Sequence, residues 1–452
     1  MADQEIDLLI VGGGMAGLSA GAWAAQEGLS VTLVEKDEQT GGNARYAGFV
    51  WTAPDVETIK REIPRGDPEL LAMIVENVPP AVEWIKTLGV RTGEPVDMMR
   101  FGRGTPVEME TYVDTCAQSI VRNGGRILTE TRTERLLVDG GRVVGAVVTL
   151  AGGVSRELRA HSTLLTTGGY QNDRDLCAEL IHLNARDIPR RTQPRSAGDG
   201  LRLGRAVGAR FGPDKAGFYG HLVPFPVQLT DPSEFVALSM YFSEHSLLLD
   251  RSGRRYMDET VGDHLNAQTT LEQPRGRALL LCDDRVLQEW VLKPYAPGLP
   301  VPDRIGETKK RGGHYARVDD LEGVRRVAAE WGYEADAVVA TLEDFNRRVV
   351  SEPDSLQPPR AHDRNRIAVP PYHLVEVWPA ITFTQGGMLI NSSAQVIAAD
   401  GTPIPGLLAA GADTGGAFVY GYAGGLALAL TSGLQAAKTA ATTAAAARAP
   451  AS

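Results

Sequence analysis

Cysteine is scarce in this chain, and its cysteines do not point to a metal centre or a disulfide framework. The 452 residues include three cysteines, Cys116, Cys177 and Cys282, and none belongs to a CxxC pair. Their odd number and wide spacing give little support to disulfides, a zinc site or an iron–sulfur site. No CxxCH sequence occurs, which excludes attached c-type haem. We therefore predict no metal site.

Positive charge and long apolar runs are also lacking. Lysine and arginine total 46 against 56 aspartates and glutamates, so the formal net charge is −10. This balance argues against nucleic acid and anionic membrane surfaces as partners. The sequence has no apolar run long enough to span a membrane, and its start lacks the basic region of a signal peptide. We expect a cytoplasmic protein that binds a small molecule.

Glycine, in contrast, is abundant, with 50 residues, and its clearest cluster follows an apolar strand. Ile6–Val11 predicts a strand buried on both faces, and Gly12, Gly14 and Gly17 then form G-x-G-x-x-G. A helix of small residues follows to about Glu27, and Ser30–Val34 predicts a second strand. The stretch therefore has the β-α-β order of a dinucleotide-binding unit.

Each residue type in this motif has a distinct physical role. Gly12 permits a tight turn, Gly14 lets the backbone approach a pyrophosphate, and Gly17 lets the helix pack close to the strand. The helix N-terminus offers N–H groups to the phosphates. Glu35, about 20 positions further on, suits a ribose diol. We predict that this unit binds a dinucleotide.

Several other glycine-rich stretches favour FAD over NAD as this dinucleotide. The sequence "GGNARYAG" at 41–48 places a second glycine pair soon after the motif. The stretches "TLLTTGG" and "GLLAAGAD" both look like strands that end at a ligand. Convergence of several segments on one cofactor fits the longer FAD molecule. Only one β-α-β fingerprint is present, so a dedicated NADPH domain is not expected.

The chain as a whole predicts an α/β fold with two domains. Helical patterns at 55–88 and 111–123 precede an antiparallel sheet, and residues 222–370 have more charge and more proline. We predict a discontinuous Rossmann-like domain, 1–221 and 371–452, with 222–370 inserted as a second domain. The Ala-rich end, 436–452, is expected to fray or to form a solvated helix end.

A set of stretches that runs through nearly the whole chain resembles one flavoprotein family. It is the family of fumarate reductase, 3-ketosteroid dehydrogenases and tricarballylate dehydrogenase. The stretches, in the family's order, are "DLLIVGGGMAGLSAG", "VEKDEQTGGNARYAG", "TTGGY", "SAGDGLRLGRAVGA", "SGRRYMDE", "TFTQGGMLINSSAQV" and "GTPIPGLLAAGADTGGAFVYGYAGG". The resemblance implies a glutathione-reductase-type FAD domain, an inserted α+β capping domain, and hydride transfer to or from a C–C bond beside an electron-withdrawing group.

The resemblance also extends the predicted cofactor site. Members with covalent FAD use a histidine near the "GGNARYAG" region, but the first histidine here is His161, so we predict noncovalent FAD. The family places an acid near the ribityl chain at the position of Asp413. The predicted FAD contacts are Gly12, Gly14, Met15, Ala16, Gly17, Glu35, Lys36, Gly42, Asn43, Ala44, Gly48, Thr167, Gly168, Gly169, Asp199, Gly411, Asp413, Gly424, Gly425 and Leu426.

The family's motifs also bear on the substrate. Fumarate reductases carry an arginine proton donor and a histidine and an arginine for carboxylates. Asp263, Phe383 with its neighbour Thr382, and Tyr422 stand at those positions here. The replacements argue against fumarate or succinate. The final "GYAGG" instead matches the ketosteroid dehydrogenases, in which the tyrosine polarises a ketone, and this implies that role for Tyr422.

The proton acceptor stays open between Asp263 and His264. Ketosteroid dehydrogenases use a tyrosine base where Asp263 stands, so the resemblance supplies the position and not the residue type. Asp263 could instead cap a helix, His264 could be a surface residue, and Tyr422 could pack over the flavin.

Candidate substrate contacts lie near the glycine-rich stretches. They are Arg45, Phe101, Phe383, Thr384, Gln385 and Tyr420. Arg45 and Arg103 could bind a substrate carboxylate or the flavin phosphates. We predict an FAD-dependent oxidoreductase that dehydrogenates a cyclic or steroid-like ketone and passes electrons to an external acceptor. The alternatives are an enoate reductase or polycarboxylate dehydrogenase, and an electron-transfer subunit with a partner chain.

Overall fold

The computed structural model describes residues 6–213, 215–294 and 299–449. It divides into two compact units. The first comprises the chain up to Leu176, Thr192–Gly217, and the chain from Phe383; the second comprises Cys177–Arg191 and Phe218–Thr382. The predicted insertion, 222–370, lies within the longer segment of the second unit.

The strands and helices follow in chain order. The strands are β1 (Ile6–Val11), β2 (Val31–Val34), β3 (Phe49–Thr52), β4 (Val96–Met98), β5 (Gly102–Pro106), β6 (Arg126–Leu128), β7 (Arg132–Asp139), β8 (Arg142–Thr149), β9 (Ser155–Leu165), β10 (Phe218–Pro224), β11 (Leu247–Leu249), β12 (Ala278–Asp283), β13 (Tyr315–Val318), β14 (Tyr372–Thr384), β15 (Met388–Leu389), β16 (Gln395–Ile397), β17 (Pro403–Ala409) and β18 (Thr414–Gly415). The α-helices are α1 (Met15–Gln26), α2 (Val56–Glu62), α3 (Pro68–Thr87), α4 (Met109–Arg122), α5 (Arg174–Leu180), α6 (Asp199–Ala206), α7 (Phe235–Leu238), α8 (Asp263–Leu271), α9 (Asp284–Val286), α10 (Arg304–Lys310), α11 (Leu321–Glu330), α12 (Ala335–Ser351) and α13 (Gly425–Arg448).

The first unit is built on a sheet with the strand order β16-β17-β9-β1-β2-β6. The contacts of β1 with β2 and β9, of β2 with β6, and of β9 with β17 are parallel. Every residue of β1 is buried, which explains why its sequence is continuously apolar rather than alternating. The antiparallel strands β8 and β7 extend the sheet from β9. The predicted α/β class is confirmed.

Helix α1 packs against α13 and α4, and small residues bring α1 and α13 close together. A Cβ atom added to Gly433 would lie 2.4 Å from the backbone oxygen of Ala16. The Ala-rich end does not fray before Arg448, because α13 continues to that residue and buries Ala436, Ala440 and Ala444, while residues 445–449 are exposed, as expected of a solvated helix end. Alanine suits this face because it allows the helix to pack closely.

The second unit contains an antiparallel sheet in the order β10-β14-β12-β11, with β13 also paired to β14. Helix α8 packs on β10. Inside this unit, the guanidinium groups of Arg255 and Arg360 both bind the buried carboxylate of Glu259. Among the described residues, no helix is long and apolar enough to cross a membrane.

Candidate functional site

The three glycines of the N-terminal motif have different surroundings. Added Cβ atoms would lie 2.3 Å from the Thr166 oxygen at Gly12 and 2.1 Å from the Gly12 oxygen at Gly17. Gly12 also has a φ of +107°, which side chains rarely adopt. A Cβ on Gly14 would meet nothing within 4 Å. Gly12 and Gly17 are therefore required by packing, whereas Gly14 keeps space open in front of α1.

The start of α1 is suited to an anionic ligand. Gly14 is its N-cap, no side chain caps the helix, and its first turn has no acidic residue. The backbone N–H groups of the first turn lack partners within the helix and carry partial positive charge. Gly41 donates a hydrogen bond from its N–H to the Gly13 oxygen, over 2.7 Å, which brings the 41–48 stretch beside the motif.

Glu35 lies next to the same loop, directly after β2. One carboxylate oxygen accepts a hydrogen bond from the Gly13 N–H over 2.7 Å, and the other accepts one from the Asp37 N–H over 2.9 Å. The neighbouring Lys36 pairs with Asp199 at 2.6 Å. The structure thus brings three of the predicted cofactor residues to the carboxyl edge of the sheet, where ligands bind in folds of this type.

The ends of β9 and β17 bring Thr167 and Asp413 together. The Thr167 N–H and hydroxyl both donate to the Asp413 carboxylate, the hydroxyl over 3.0 Å. A Cβ on Gly200 would lie 2.3 Å from the same carboxylate. Burial raises the pKa of Asp413 to about 7, against the lowering effect of the Thr167 hydrogen bonds.

Asn43 ties the 41–48 stretch to a further segment of the first unit. Its side-chain oxygen accepts the Gln193 N–H over 2.6 Å, and its side-chain nitrogen donates to the Thr192 hydroxyl over 3.1 Å. Together, the open space at Gly14, the uncapped helix and the acid at Glu35 fit an FAD molecule. The residues that would hold it come from the loop after β1, the end of β2, and the ends of β9 and β17.

Tyr422 lies in the first unit, immediately before α13, and is 7% exposed. Its hydroxyl oxygen accepts a hydrogen bond from the Gly425 N–H over 2.9 Å. Its ring lies 5.3 Å from the Trp51 ring and 5.6 Å from the rings of Phe383 and Phe418, centroid to centroid. The phenol therefore sits among apolar rings, with its oxygen at a helix N-terminus.

The remaining predicted substrate contacts differ in exposure. Thr384 and Gln385 are buried: the Thr384 hydroxyl accepts the Tyr170 N–H over 3.0 Å, and the Gln385 amide donates to the Gly421 oxygen over 3.0 Å. Tyr420 is 42% exposed, with a φ of +51°, and the Arg65 guanidinium lies 4.7 Å from its ring centroid.

Phe101, Arg45 and Arg103 complete the set. The Phe101 ring lies 6.1 Å from the Trp51 ring. Arg45 donates from Nε to the Thr40 oxygen over 2.9 Å, and Arg103 is an exposed residue of β5.

Asp263 and His264 lie in the second unit, at the start of α8. Asp263 is 1% exposed, and its Oδ2 is hydrogen-bonded to Nδ1 of His221. The alternative that Asp263 caps the helix is wrong, because Gly262 is the N-cap and no side chain caps the helix. The alternative of a surface role for His264 is also wrong, since this residue is 5% exposed.

Sequence reasoning missed His221 and its second partner, the Tyr219 hydroxyl, which lies 2.8 Å from His221 Nε2. The available signal was the Tyr-x-His alternation in an apolar strand, which places both side chains on one face.

The fold and the dinucleotide site define an FAD-dependent oxidoreductase. The family described as "FAD binding domain" matches residues 7–427, and the chain belongs to it. The predicted family, enzyme class and FAD cofactor are thereby confirmed; the noncovalent attachment stays a prediction.

Curated relatives include dehydrogenases and reductases. A vinyl phenol reductase of Lactiplantibacillus plantarum is 25% identical, over 91% of this chain and 90% of the relative. A probable fumarate reductase of Shewanella frigidimarina is 26% identical, over 95% and 73%. A 4-oxocyclohexanecarboxylate 2-dehydrogenase of Sinomonas cyclohexanicum is 25% identical, over 92% and 89%.

Among solved structures, a 3-ketosteroid-Δ4-(5α)-dehydrogenase of Rhodococcus jostii shares the fold. The match has a TM-score of 0.77 and 19% identity and covers 97% of both chains.

Proposed function

We propose that this protein dehydrogenates a cyclic ketone to an enone, with Tyr422 as the residue that polarises the ketone oxygen. The observation that carries the proposal is the hydrogen bond from the Gly425 N–H to the Tyr422 hydroxyl, 2.9 Å long, within a set of aromatic rings. A hydroxyl that accepts one hydrogen bond becomes a stronger donor in the next. A neutral carbonyl oxygen is the acceptor that suits such a phenol.

The reaction removes a hydride from one carbon and a proton from its neighbour. FAD, when bound, supplies the acceptor for the hydride. The donated hydrogen bond from Tyr422 stabilises the negative charge that develops on the carbonyl oxygen as the proton leaves. A base of the protein takes that proton, and the sequence predicts either Asp263 or His264 for this role.

The apolar surroundings of Tyr422 support a ring-shaped, uncharged reacting group. Trp51, Phe383 and Phe418 offer apolar faces to it. The name of one relative, 4-oxocyclohexanecarboxylate 2-dehydrogenase, describes oxidation of a cyclic ketone beside its carbonyl. The same geometry run in reverse would reduce an enone.

A second candidate is reduction of an enoate, or oxidation of a polycarboxylate. It is favoured by the name of one relative, a probable fumarate reductase. In this version Arg45 and Arg103 would hold the carboxylate, and an external donor or acceptor would exchange electrons with the flavin.

Anaerobic mixing of the FAD-loaded protein with matched compounds separates the two candidates. The panel contains cyclohexanone, 4-oxocyclohexanecarboxylate, cyclohexanecarboxylate, succinate and tricarballylate. We expect the two ketones to bleach the flavin absorbance near about 450 nm and the three compounds without a ketone to leave it unchanged. Bleaching by the polycarboxylates alone would show that the ketone proposal is wrong.

A further inference from the structure

Arg65 is an exposed arginine in the turn between α2 and α3, and its guanidinium lies on an aromatic ring. The Cζ atom of Arg65 is 4.7 Å from the ring centroid of Tyr420. No acidic side chain among the described residues pairs with Arg65. An arginine keeps its charge at any ordinary pH, so a guanidinium without a neighbouring acid is available to bind an anion.

The acids closest to Arg65 in the sequence have other partners. Glu62 binds the guanidinium groups of Arg61 and Arg100, over 3.3 Å and 2.5 Å. Asp67 caps α3, because one of its carboxylate oxygens accepts two backbone N–H groups of that helix. Within the part of the chain that the structure describes, no carboxylate therefore neutralises Arg65 directly.

The turn that carries Arg65 is fastened to the loop before α13. The backbone N–H of Asp67 donates to the Gly416 oxygen over 2.8 Å. A Cβ atom added to Gly421 would lie 2.8 Å from a side-chain carbon of Ile63, so the two segments pack closely there as well. All of these residues belong to the first unit. The turn and the loop are therefore held together near both ends of the loop.

Tyr420, which lies in this loop, has a backbone conformation that residues with side chains seldom adopt. Its φ is +51°, and the residue is exposed. Such a left-handed conformation persists where the surrounding structure fixes it, and residues of this kind cluster at functional sites. Here the contacts at Gly416 and Gly421 fix the backbone on either side. The strained residue thus presents its ring to the guanidinium of Arg65.

Contact with an aromatic ring leaves the edge of the guanidinium available to a ligand. The ring attracts the positive charge through its face, whereas the N–H donors point outward in the plane of the guanidinium. This edge matches the planar pair of oxygens of a carboxylate. Tyr420 holds Arg65 through its ring, so the Tyr420 hydroxyl takes no part in the contact.

Arg65 is also close to the residue proposed to polarise the ketone. Only Gly421 separates Tyr420 from Tyr422, so the Cα atoms of the two tyrosines are at most about 7 Å apart. A molecule that is bound at Tyr422 through its ketone therefore has Arg65 within reach of its other end.

We propose that Arg65 binds a carboxylate at the end of the substrate remote from the reacting carbons, and that it thereby selects keto acids over uncharged ketones. This inference rests on the proposed ketone oxidation and names the substrate class. The carboxylate takes no part in the chemistry; its bidentate contact with the guanidinium orients the substrate. The phosphates of FAD are the other oxyanions that the first unit is expected to bind, and the start of α1 is suited to them.

Arg65→Gln tests this role, with Arg61→Gln as the matched control, because Arg61 is an exposed arginine of α2 that already pairs with Glu62. The substrates are 4-oxocyclohexanecarboxylate and cyclohexanone, which differ only in the carboxylate. We expect Arg65→Gln to raise the KM of the keto acid at least about tenfold, with kcat and the KM of cyclohexanone unchanged. Arg61→Gln should match wild type with both compounds. An unchanged KM for the keto acid in Arg65→Gln, or equal increases for both compounds, would overturn the assignment.

A titration with FAD distinguishes a substrate carboxylate from a phosphate of the cofactor. Apoprotein of Arg65→Gln should bind FAD with the Kd of wild type, because the guanidinium is assigned to the substrate. Melting temperatures of the variants check that the fold is intact. A loss of FAD affinity of about tenfold in Arg65→Gln alone would show that Arg65 binds the cofactor, and would overturn the proposal.

Binding of cyclohexanecarboxylate needs no ketone and keeps the two proposals separable. Calorimetric titration of the FAD-loaded wild type should show binding that weakens about tenfold in Arg65→Gln and not in Arg61→Gln. No binding to wild type, or equal affinity in wild type and Arg65→Gln, would overturn the role of Arg65 even if ketones bleach the flavin. If no ketone bleaches the flavin and this binding still depends on Arg65, the proposed reaction fails and the carboxylate site stands.

Discussion

The backbone N–H of Gly425 donates a hydrogen bond to the hydroxyl oxygen of Tyr422 over 2.9 Å. Gly425 is the first residue of α13, so this N–H also carries the partial positive charge of a helix N-terminus. Both effects draw electron density from the phenolic oxygen and make its O–H a better donor. The helix N-terminus therefore makes the Tyr422 hydroxyl a stronger hydrogen-bond donor. The more exposed Tyr420, two residues earlier, has no comparable helix to strengthen its hydroxyl.

Replacement of Tyr422 by phenylalanine should therefore impair turnover much more than it impairs FAD binding. We expect a loss of about 10²- to 10³-fold in turnover with a ketone, as for removal of one oxyanion donor. Tyr420→Phe is the matched control, because it removes the same atom from an exposed neighbour. Flavin content is measured by absorbance and turnover by steady-state kinetics. Near-normal turnover in Tyr422→Phe would remove this residue from the mechanism.

Replacement by alanine should weaken FAD binding at Gly14 and should lower the stability of the fold at Gly17. Nothing lies within 4 Å of a Cβ at Gly14, so the apoprotein should tolerate Gly14→Ala to within about 1 kcal/mol. The methyl group would occupy the space that the pyrophosphate approaches, and FAD affinity should fall at least about tenfold.

At Gly17, the methyl group would meet the Gly12 oxygen at 2.1 Å, so Gly17→Ala should lower the free energy of unfolding by about 1–3 kcal/mol. Chemical denaturation of the apoproteins and titration with FAD measure the two quantities. A Gly14→Ala protein that binds FAD like wild type would contradict the assigned position of the pyrophosphate.

Asp413 should make the apoprotein less stable as the pH rises. Its pKa is raised to about 7 in the folded chain, against about 3.9 for an ordinary aspartate, so the folded chain holds the proton more tightly. The resulting stabilisation is fully present below about pH 4 and is lost as the pH rises to about 7. Each unit of pKa difference corresponds to about 1.4 kcal/mol.

Asp413→Asn removes this titration, so its melting temperature should fall less than that of wild type between pH 4.5 and 7.5, a range of about three units. Asp400→Asn is the control. Hydrogen bonds from Thr402 lower the pKa of this exposed carboxyl, and its titration falls below the range studied. An equal fall in melting temperature over this pH range in wild type and Asp413→Asn would contradict the raised pKa.

The sequence predicted the parts of the fold that depend on local pattern. The strand Ile6–Val11 has the predicted bounds, the helix ends within one residue of the predicted Glu27, and the second strand starts one residue after the predicted Ser30. Glycine spacing gave the dinucleotide site because turn geometry and close packing restrict those positions to glycine. Tyr422 was found by resemblance, but its hydrogen bond to Gly425 was not assigned in advance.

The contact between His221 and Asp263 could not be predicted from local pattern. His221 and Asp263 are 42 positions apart, and their contact depends on how α8 packs on β10. The sequence predicted the neighbouring His264 as a proton acceptor because it directly follows Asp263. A contact between residues that are distant in the chain cannot be predicted in this way. The alternation of an apolar strand does not predict which distant residue a buried histidine on it will contact.

The order of strands in the first unit constrains how the chain can fold during synthesis. Strand β17 pairs with β9, and α13 packs on α1, so the sheet and its helical cover join the two ends of the chain. The segment from Phe383, which carries Asp413 and Tyr422, is translated after every residue of the second unit. The first unit therefore cannot be complete until translation has passed these residues, which are proposed to bind FAD and substrate.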